Sequence, residues 1–195
     1  MIFIALAIVV GVGLGLFFRS FRPGVPAAPP GRTLHFAPIG DFPAADAQAL
    51  VAHYRDRFGL EIEVLPAIPM PPEAMDQRRR QVIAERLTEA IRGQPIAADH
   101  NAVIIGLTSA DMYIASATWN YAYGMRQGDR WAVVSSARMS AGFAVEALRM
   151  ARLQKMITKN IGILYYLLPD STDPRSVLYN NILGPDDLDR MTEEF

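Results

Sequence analysis

The sequence has 195 residues, of which 51% are hydrophobic and 20% are charged, and its formal net charge at pH 7 is -1. This length predicts one domain, and this apolar fraction excludes an intrinsically disordered chain. The near-zero charge argues against a nucleic-acid-binding protein, and the absence of cysteine excludes disulfide scaffolds, thiolate zinc sites and cysteine nucleophiles.

The N-terminal segment, residues 1–18, contains no charged side chain. As a helix it would span about 27 Å, close to the roughly 30 Å hydrocarbon core of a bilayer. Arginines follow it at positions 19, 22 and 32, before the first acidic residue. We therefore predict a single-pass transmembrane helix that is retained as a signal-anchor, with the globular part in the cytoplasm. A cleaved signal peptide and an exported globular part are the alternative.

A proline-rich tether, residues 19–32, follows the anchor and is expected to be extended and semi-rigid. The globular domain then covers residues 33–195. Gly11 and Gly15 within the anchor have the spacing that lets two membrane helices approach closely. A homo-oligomer held through this helix, in a purely structural membrane protein, is therefore one alternative role.

The pattern of apolar residues predicts the elements of the domain in chain order. The first half contains a strand at 34–39, a helix at 43–58 with Asp41 as its N-cap, a strand at 61–65 and a charged helix at 73–92. The second half contains a central strand at 102–107, strands at 119–124 and 131–135, a long helix at 141–168 and a last helix at 185–194. This order predicts an α/β (α+β) fold with a mixed sheet flanked by helices.

Three segments carry a resemblance to a known family. They are Leu65-Pro66 with residues 74–81 (AMDQRRRQ), residues 102–113 (AVIIGLTSADMY), and residues 176–178 with 186–190 (SVL and DDLDR). Their order and spacing resemble the archaemetzincins, zinc metallopeptidases of the metzincin clan, over residues 33–195. The resemblance implies a metzincin-like mixed sheet flanked by helices.

The zinc motif of that family, H-E-x-x-H-x-x-G-x-x-H, places two imidazoles on one helix face and a general base beside the first. Aligned on Gly162, Lys159 stands at the first histidine and Asn160 at the glutamate. Ile163 and Pro169 stand at the second and third histidines. An ammonium, an amide, an aliphatic group and a proline supply neither a zinc ligand nor a base.

Other positions of the family pattern are also changed. Tyr166 replaces the glycine bend, which predicts that the helix continues, and Leu178 replaces the turn methionine. Asp170 and Ser176 stand at cysteine positions of a second zinc site. The sequence therefore predicts no catalytic residue, no metal site and no cofactor, and it favours a protein that is not an enzyme.

A hydrolase with a relocated metal site is an alternative, using His35, His53, His100 and nearby acids. These histidines are far apart in the sequence, which favours packing or surface roles for them. The alternative predicts cleavage that is sensitive to chelators and is lost on His→Ala substitution.

The favoured role is binding without cleavage. Metzincin-type folds hold an extended peptide against an edge strand, which the resemblance places within residues 113–125. The cleft lining that we expect is aromatic: Trp119, Tyr121 and Tyr123, with Tyr165 and Tyr166 on the facing helix. The sequence thus predicts a membrane-tethered pseudo-peptidase that binds a peptide or protein partner, or regulates an active relative.

Overall fold

The computed structural model describes residues 25–140 and 146–195. A five-stranded sheet forms its centre, in the order β2-β1-β5-β8-β7. The strands, in that order, are Ile62–Val64, Thr33–Ile39, Ala102–Thr108, Trp131–Ser135 and Gly124–Gln127. All neighbouring pairs are parallel except β7 with β8, which is antiparallel. The strand at this edge of the sheet, β7, therefore runs against its neighbour.

Helices cover both faces of this sheet. Helices α1 (Ala44–Phe58) and α3 (Glu146–Asn160) pack on one face, and α2 (Ala84–Arg92) packs on the other. Along β5, Val103 and Ile105 belong to the first core cluster and Ile104 to the second, because successive side chains of a strand point to opposite faces. The predicted α/β fold, with a mixed sheet flanked by helices, is confirmed.

The predicted helix at 73–92 is wrong in its first half. A 3₁₀ turn (Pro72–Ala74) precedes strands β3 (Met75–Asp76) and β4 (Gln81–Ile83), and β4 pairs in parallel with β6 (Met112–Tyr113) to complete a second sheet. The Asp76 carboxylate accepts hydrogen bonds from the backbone N–H groups of Arg78 and Arg79, and Arg80 has a positive φ of 56°. This side-chain turn replaces the helical hydrogen bonds.

Four other features differ from the prediction. The strand predicted at 119–124 is wrong except for its last residue, since β7 covers Gly124–Gln127, and the last helix, α4, covers Pro185–Arg190. The long helix gives way after Asn160 to a π-helical turn, Ile161–Tyr165, while residues 141–145 at its predicted start lie outside the described residues. Helix α1 begins without a side-chain cap, so Asp41 is not its N-cap.

The predicted transmembrane helix, residues 1–18, lies outside the described residues. Among the helices of residues 25–140 and 146–195, none combines the length and apolar character needed to cross a bilayer. The last part of the predicted tether contacts the domain, since Val25 and Ala28 pack against the first core cluster. Arg32 also donates a hydrogen bond to the backbone carbonyl of Leu164 in the π-helical turn.

Candidate functional site

An open cleft of about 620 Å³ lies beside the edge strand β7. One side is formed by residues 118–126, which we call the cleft wall, together with Ile114. The end of α3 and residues 180–183 contribute the other lining residues: Met156, Lys159, Asn160, Asn180, Ile182 and Leu183. The cleft therefore contains the first two positions of the former zinc motif.

Lys159 is a buried lysine, with 5% of its surface exposed. Its ammonium donates a hydrogen bond to the backbone carbonyl of Tyr179, and its Nζ lies 3.8 Å from Oδ1 of Asp170. Burial lowers the pKa of Lys159 to about 8, and the positive charge of Arg126 acts in the same direction, while Asp170 opposes both. The amine is therefore still mainly protonated at pH 7.

Asn160 is also buried, with 2% of its surface exposed. Its Nδ2 donates to the backbone carbonyl of Met156 at 2.7 Å, one helical turn earlier, whereas its buried Oδ1 has no hydrogen-bond partner among the described residues. A side-chain amide is not basic near pH 7, so Asn160 supplies an acceptor but not a general base.

The remaining two motif positions differ in their surroundings. Ile163 is partly buried and packs against the first core cluster, and Pro169 is exposed. Neither side chain has a lone pair to donate, and Lys159 brings a positive charge. Zinc needs three or four nitrogen, oxygen or sulfur ligands, so the residues present do not fit the ion that the fold family holds.

The π-helical turn ends the helix, which corrects the expectation that Tyr166 lets it continue. The N–H of Tyr166 bonds to the carbonyl of Ile161, five residues earlier, and Leu167 then has a positive φ of 59°. Gly162 lies within this turn, where a Cβ would come within 2.7 Å of the side chains of Leu178 and Phe195. The turn thus packs against the segment that carries the former turn-methionine position.

A polar network supports the cleft wall, and sequence reasoning did not foresee it. Gln81 donates from Nε2 to Asp111 Oδ2 at 3.1 Å and to the backbone carbonyl of Asn120 at 3.0 Å. Arg79 donates to Gln81 Oε1 and to the same Asn120 carbonyl. Arg138 donates two hydrogen bonds to Asp111, of 2.7 and 2.6 Å. The wall is therefore held by charged and polar side chains behind it.

The same network contains residues of the first two resemblance segments. The Tyr113 hydroxyl donates to Asp76 at 2.9 Å, and the guanidinium of Arg79 lies 3.8 Å from the centre of the Tyr113 ring. Hydrogen bonds from the Arg79 backbone and from the Tyr113 hydroxyl lower the pKa of Asp76. Two segments some thirty residues apart therefore meet behind the cleft wall. The polar residues in both resemblance segments were the feature of the sequence that could have indicated this contact.

The predicted aromatic residues fall into two places. Trp119, Tyr121 and Tyr123 line the cleft; Trp119 is 58% exposed, whereas Tyr123 is buried. The Tyr121 hydroxyl donates to the backbone carbonyl of Leu183 at 3.0 Å, which joins the wall to residues 180–183. Tyr165 and Tyr166 instead belong to the first core cluster, because the π-helical turn directs them inward.

The three histidines lie on separate elements. His35 in β1 is buried and bonds to Thr33 Oγ1 at 2.9 Å, His53 in α1 packs edge-on against Tyr54 and Phe58, and His100 is exposed in a loop. Burial, together with the charge of Arg57, lowers the pKa of His53. Within residues 25–140 and 146–195, no group of three His, Asp or Glu side chains is arranged to hold a metal ion.

No family model matches the sequence, and a comparison with curated proteins found no significant relative. Among solved structures, archaemetzincin from Methanopyrus kandleri is similar, with 23% identity, a TM-score of 0.68, and coverage of 86% of this chain and 91% of that chain. Archaemetzincin from Archaeoglobus fulgidus, complexed with malonate, has 22% identity and a TM-score of 0.67, with coverage of 84% and 94%.

A zinc-dependent peptidase from Methanocorpusculum labreanum has 18% identity and a TM-score of 0.68, with coverage of 83% of this chain and 95% of that chain. These likenesses extend over almost the whole of each solved chain. The resemblance is confirmed at the level of the backbone. The described part of this chain has an archaemetzincin-like fold.

Proposed function

We propose that this protein is a non-catalytic member of the archaemetzincin-like fold that binds extended peptide segments in its cleft. The observation that carries the proposal is the place of Lys159 and Asn160, which line an open cleft beside an antiparallel edge strand. The cleft has stayed open, while the chemistry of its former motif positions has changed.

Two features support peptide binding. The strand β7 ends the sheet, so its outer edge offers backbone groups to an added strand. Trp119 and Leu183, which are 58% and 68% exposed, both line the cleft and are large apolar side chains that a partner would cover.

Catalysis by the zinc mechanism of the neighbours is not compatible with these side chains. That mechanism needs a metal held by neutral imidazoles and a base that takes a proton from the metal-bound water. Here the corresponding positions hold an ammonium, an amide, an isoleucine that packs in the core and an exposed proline. Binding a peptide, or regulating an active relative by holding its substrate, requires none of these groups.

Tryptophan fluorescence tests peptide binding directly, because the chain has two tryptophans and only Trp119 is well exposed. We expect pools of extended peptides to shift the emission of the full-length protein. Isothermal titration calorimetry, which needs no tryptophan, should show that Trp119→Ala weakens binding at least about tenfold. Leu167→Ala is the matched control, since Leu167 is 54% exposed and does not line the cleft.

Two results would overturn this proposal. One is equal binding by Trp119→Ala and by the unsubstituted protein. The other is cleavage of the peptides that a chelator abolishes and that His35→Ala, His53→Ala or His100→Ala removes, which would instead support the relocated-site hydrolase.

We also propose that residues 1–18 tether the domain to a membrane, with the domain on the cytoplasmic side. The support is the uncharged run and the arginines that follow it. The full-length chain is expected to remain in the membrane fraction after alkaline carbonate washing. Protease protection of the domain in sealed cytoplasm-side-in vesicles distinguishes the cytoplasmic orientation from export, and release by carbonate would remove the proposal.

A further inference from the structure

The charge of the cleft lining has one sign. Two of its lining residues are charged, Arg126 and Lys159, and both are cationic; no acidic residue belongs to the lining formed by the described residues. An acidic side chain, Asp170, lies next to both cations. Arg126 and Lys159 therefore compete for the one carboxylate of Asp170.

Asp170 is engaged mainly by Arg126. Nη2 of Arg126 lies 3.1 Å from Oδ1 and 3.2 Å from Oδ2 of the Asp170 carboxylate. The Nζ of Lys159 lies 3.8 Å from the nearer oxygen, which is too long for a hydrogen bond. Among the described residues, one carboxylate thus faces two cations, so the positive charges at the cleft exceed the negative charge by one.

The ammonium of Lys159 is held in a position where it could bind a further carboxylate. Its side chain is buried at the end of α3, and the Tyr179 carbonyl takes one of the three N–H bonds of its ammonium. A buried ammonium without a full set of partners raises the free energy of the folded protein. A carboxylate that enters the cleft would relieve this cost and would meet a cation that is already oriented.

We propose that the cleft selects peptides with an acidic side chain, whose carboxylate pairs with Lys159. This inference rests on the proposed function. The lining includes three successive residues of β7, from Gly124 to Arg126, as well as apolar side chains on both sides. The bound segment is therefore longer than the residue that meets Lys159, which favours an Asp or Glu within a segment over a free C-terminal carboxylate.

The same arrangement rejects basic ligands. A lysine or arginine of the peptide placed next to Lys159 would bring a third positive charge close to Arg126 and Lys159. It would supply no counter-ion for either of them. Like-charge contact in a partly desolvated cleft is unfavourable, so selectivity arises from repulsion as well as attraction.

The test uses full-length protein in detergent micelles and three pools of heptapeptides that are acetylated and amidated. The pools differ only in the central residue, which is Glu, Gln or Lys, and a fourth pool has central Gln and a free C-terminus. We expect the Glu pool to bind about tenfold more tightly than the Gln pool, as for a charge-assisted hydrogen bond. The Lys pool should bind most weakly, and the free C-terminus should add little.

Variants separate this inference from the proposed function. Lys159→Met should remove the preference for Glu while binding of the Gln pool persists, and Lys159→Arg should retain part of the preference. Lys155→Met, on the same helix, should change neither the preference for Glu nor the affinity for the Gln pool. Equal affinity of the Glu and Gln pools, an unchanged preference in Lys159→Met, or tighter binding of the free C-terminus would overturn the inference alone. Failure of every pool to bind would overturn the proposed function with it.

Discussion

At the scale of single residues, Lys159 stands at the position that aligns with the first histidine of the family's zinc motif. The first ligand position now holds an ammonium that is buried, bonded to the Tyr179 carbonyl and 3.8 Å from Asp170. Its pKa falls from an ordinary value of 10.5 to about 8 because burial disfavours the charged form. The charged Lys159 therefore raises the free energy of the folded state. It does not replace the stabilisation that a bound metal ion would give.

This cost leads to a stability prediction. Lys159→Met removes a buried charge and keeps a side chain of similar length, so we expect it to raise the free energy of unfolding at pH 7 by about 1 kcal/mol or more. Between pH 8 and 10.5 the unfolded chain holds a proton that the native lysine has lost, so the stability of the unsubstituted protein rises with pH. The advantage of Lys159→Met should shrink over that range.

Chemical denaturation at pH 7 and at pH 9.5 measures both effects. Lys155→Met is the control, because Lys155 lies on the same helix and bonds to the Leu188 carbonyl near the surface. A Lys159→Met protein that is less stable at pH 7 would mean that the ammonium stabilises the fold, contrary to the pKa argument.

At the scale of elements, the cleft wall depends on side chains from elsewhere in the chain. Residues 118–123 form no strand or helix, and Gln81, Arg79 and Arg138 hold this stretch from behind. Arg138 lies 4.4 Å from the centre of the Tyr121 ring while it pairs with Asp111. The shape of the cleft is therefore set by a network whose centre is one carboxylate.

Asp111→Asn is expected to loosen the wall. The substitution removes the charge that Arg138 binds and offers an NH₂ group where Gln81 or Arg138 needs an acceptor, which costs about 1 to 3 kcal/mol locally. Amide hydrogen exchange over residues 118–123 should become about tenfold faster or more, while exchange in β1 and β5 is unchanged. Asp173→Asn, at an exposed loop position, is the control, and equal exchange in both variants would count against the network.

The elements that the sequence predicts well are those in which burial alone decides. The continuous apolar run at 102–107 is strand β5, and the helix over 43–58 ends at Gly59, whose φ is 66°. The failures occur where a side chain competes with the backbone or where packing changes the helix type. Asp76 caps a turn inside an apparently helical stretch, and the π-helical turn appears only when Gly162 meets Leu178 and Phe195.

The features of the candidate site also separate into those that residue chemistry predicts and those that depend on tertiary contacts. The absence of the three zinc ligands and of the general base could be predicted from positions 159, 160, 163 and 169, because it depends only on residue chemistry. The wall network could not, since it needs Gln81, Asp111 and Arg138 to come together from three separate segments. Tyr165 and Tyr166 are buried in the first core cluster at the end of the π-helical turn, and no local sequence pattern predicted that turn.

At the scale of the whole molecule, the fold rests on its sheet and two apolar clusters. The residues of these clusters lie mainly in the strands, in α1, α2 and α3 and in the π-helical turn, and their hydrophobic side chains pack together without a metal ligand. This arrangement explains how an archaemetzincin-like backbone keeps its shape with a changed ligand set. Stability in this protein should not depend on a divalent metal.

Metal analysis of untagged, full-length protein checks this. After incubation with excess zinc and dialysis, we expect much less than one zinc per chain, and a chelator should leave the thermal unfolding midpoint unchanged. One tightly bound zinc per chain, with a midpoint that a chelator lowers, would show that other residues have replaced the lost ligands.

The π-helical turn has a consequence for protein engineering. Ile163 packs against the first core cluster, Leu167 has a left-handed conformation and Pro169 is exposed, so positions 159, 163 and 169 have different surroundings. Putting histidines back at positions 159, 163 and 169 would place one imidazole among apolar side chains and another on the outer surface. Creation of a zinc site at these positions would therefore demand a change of backbone path as well as of side chains.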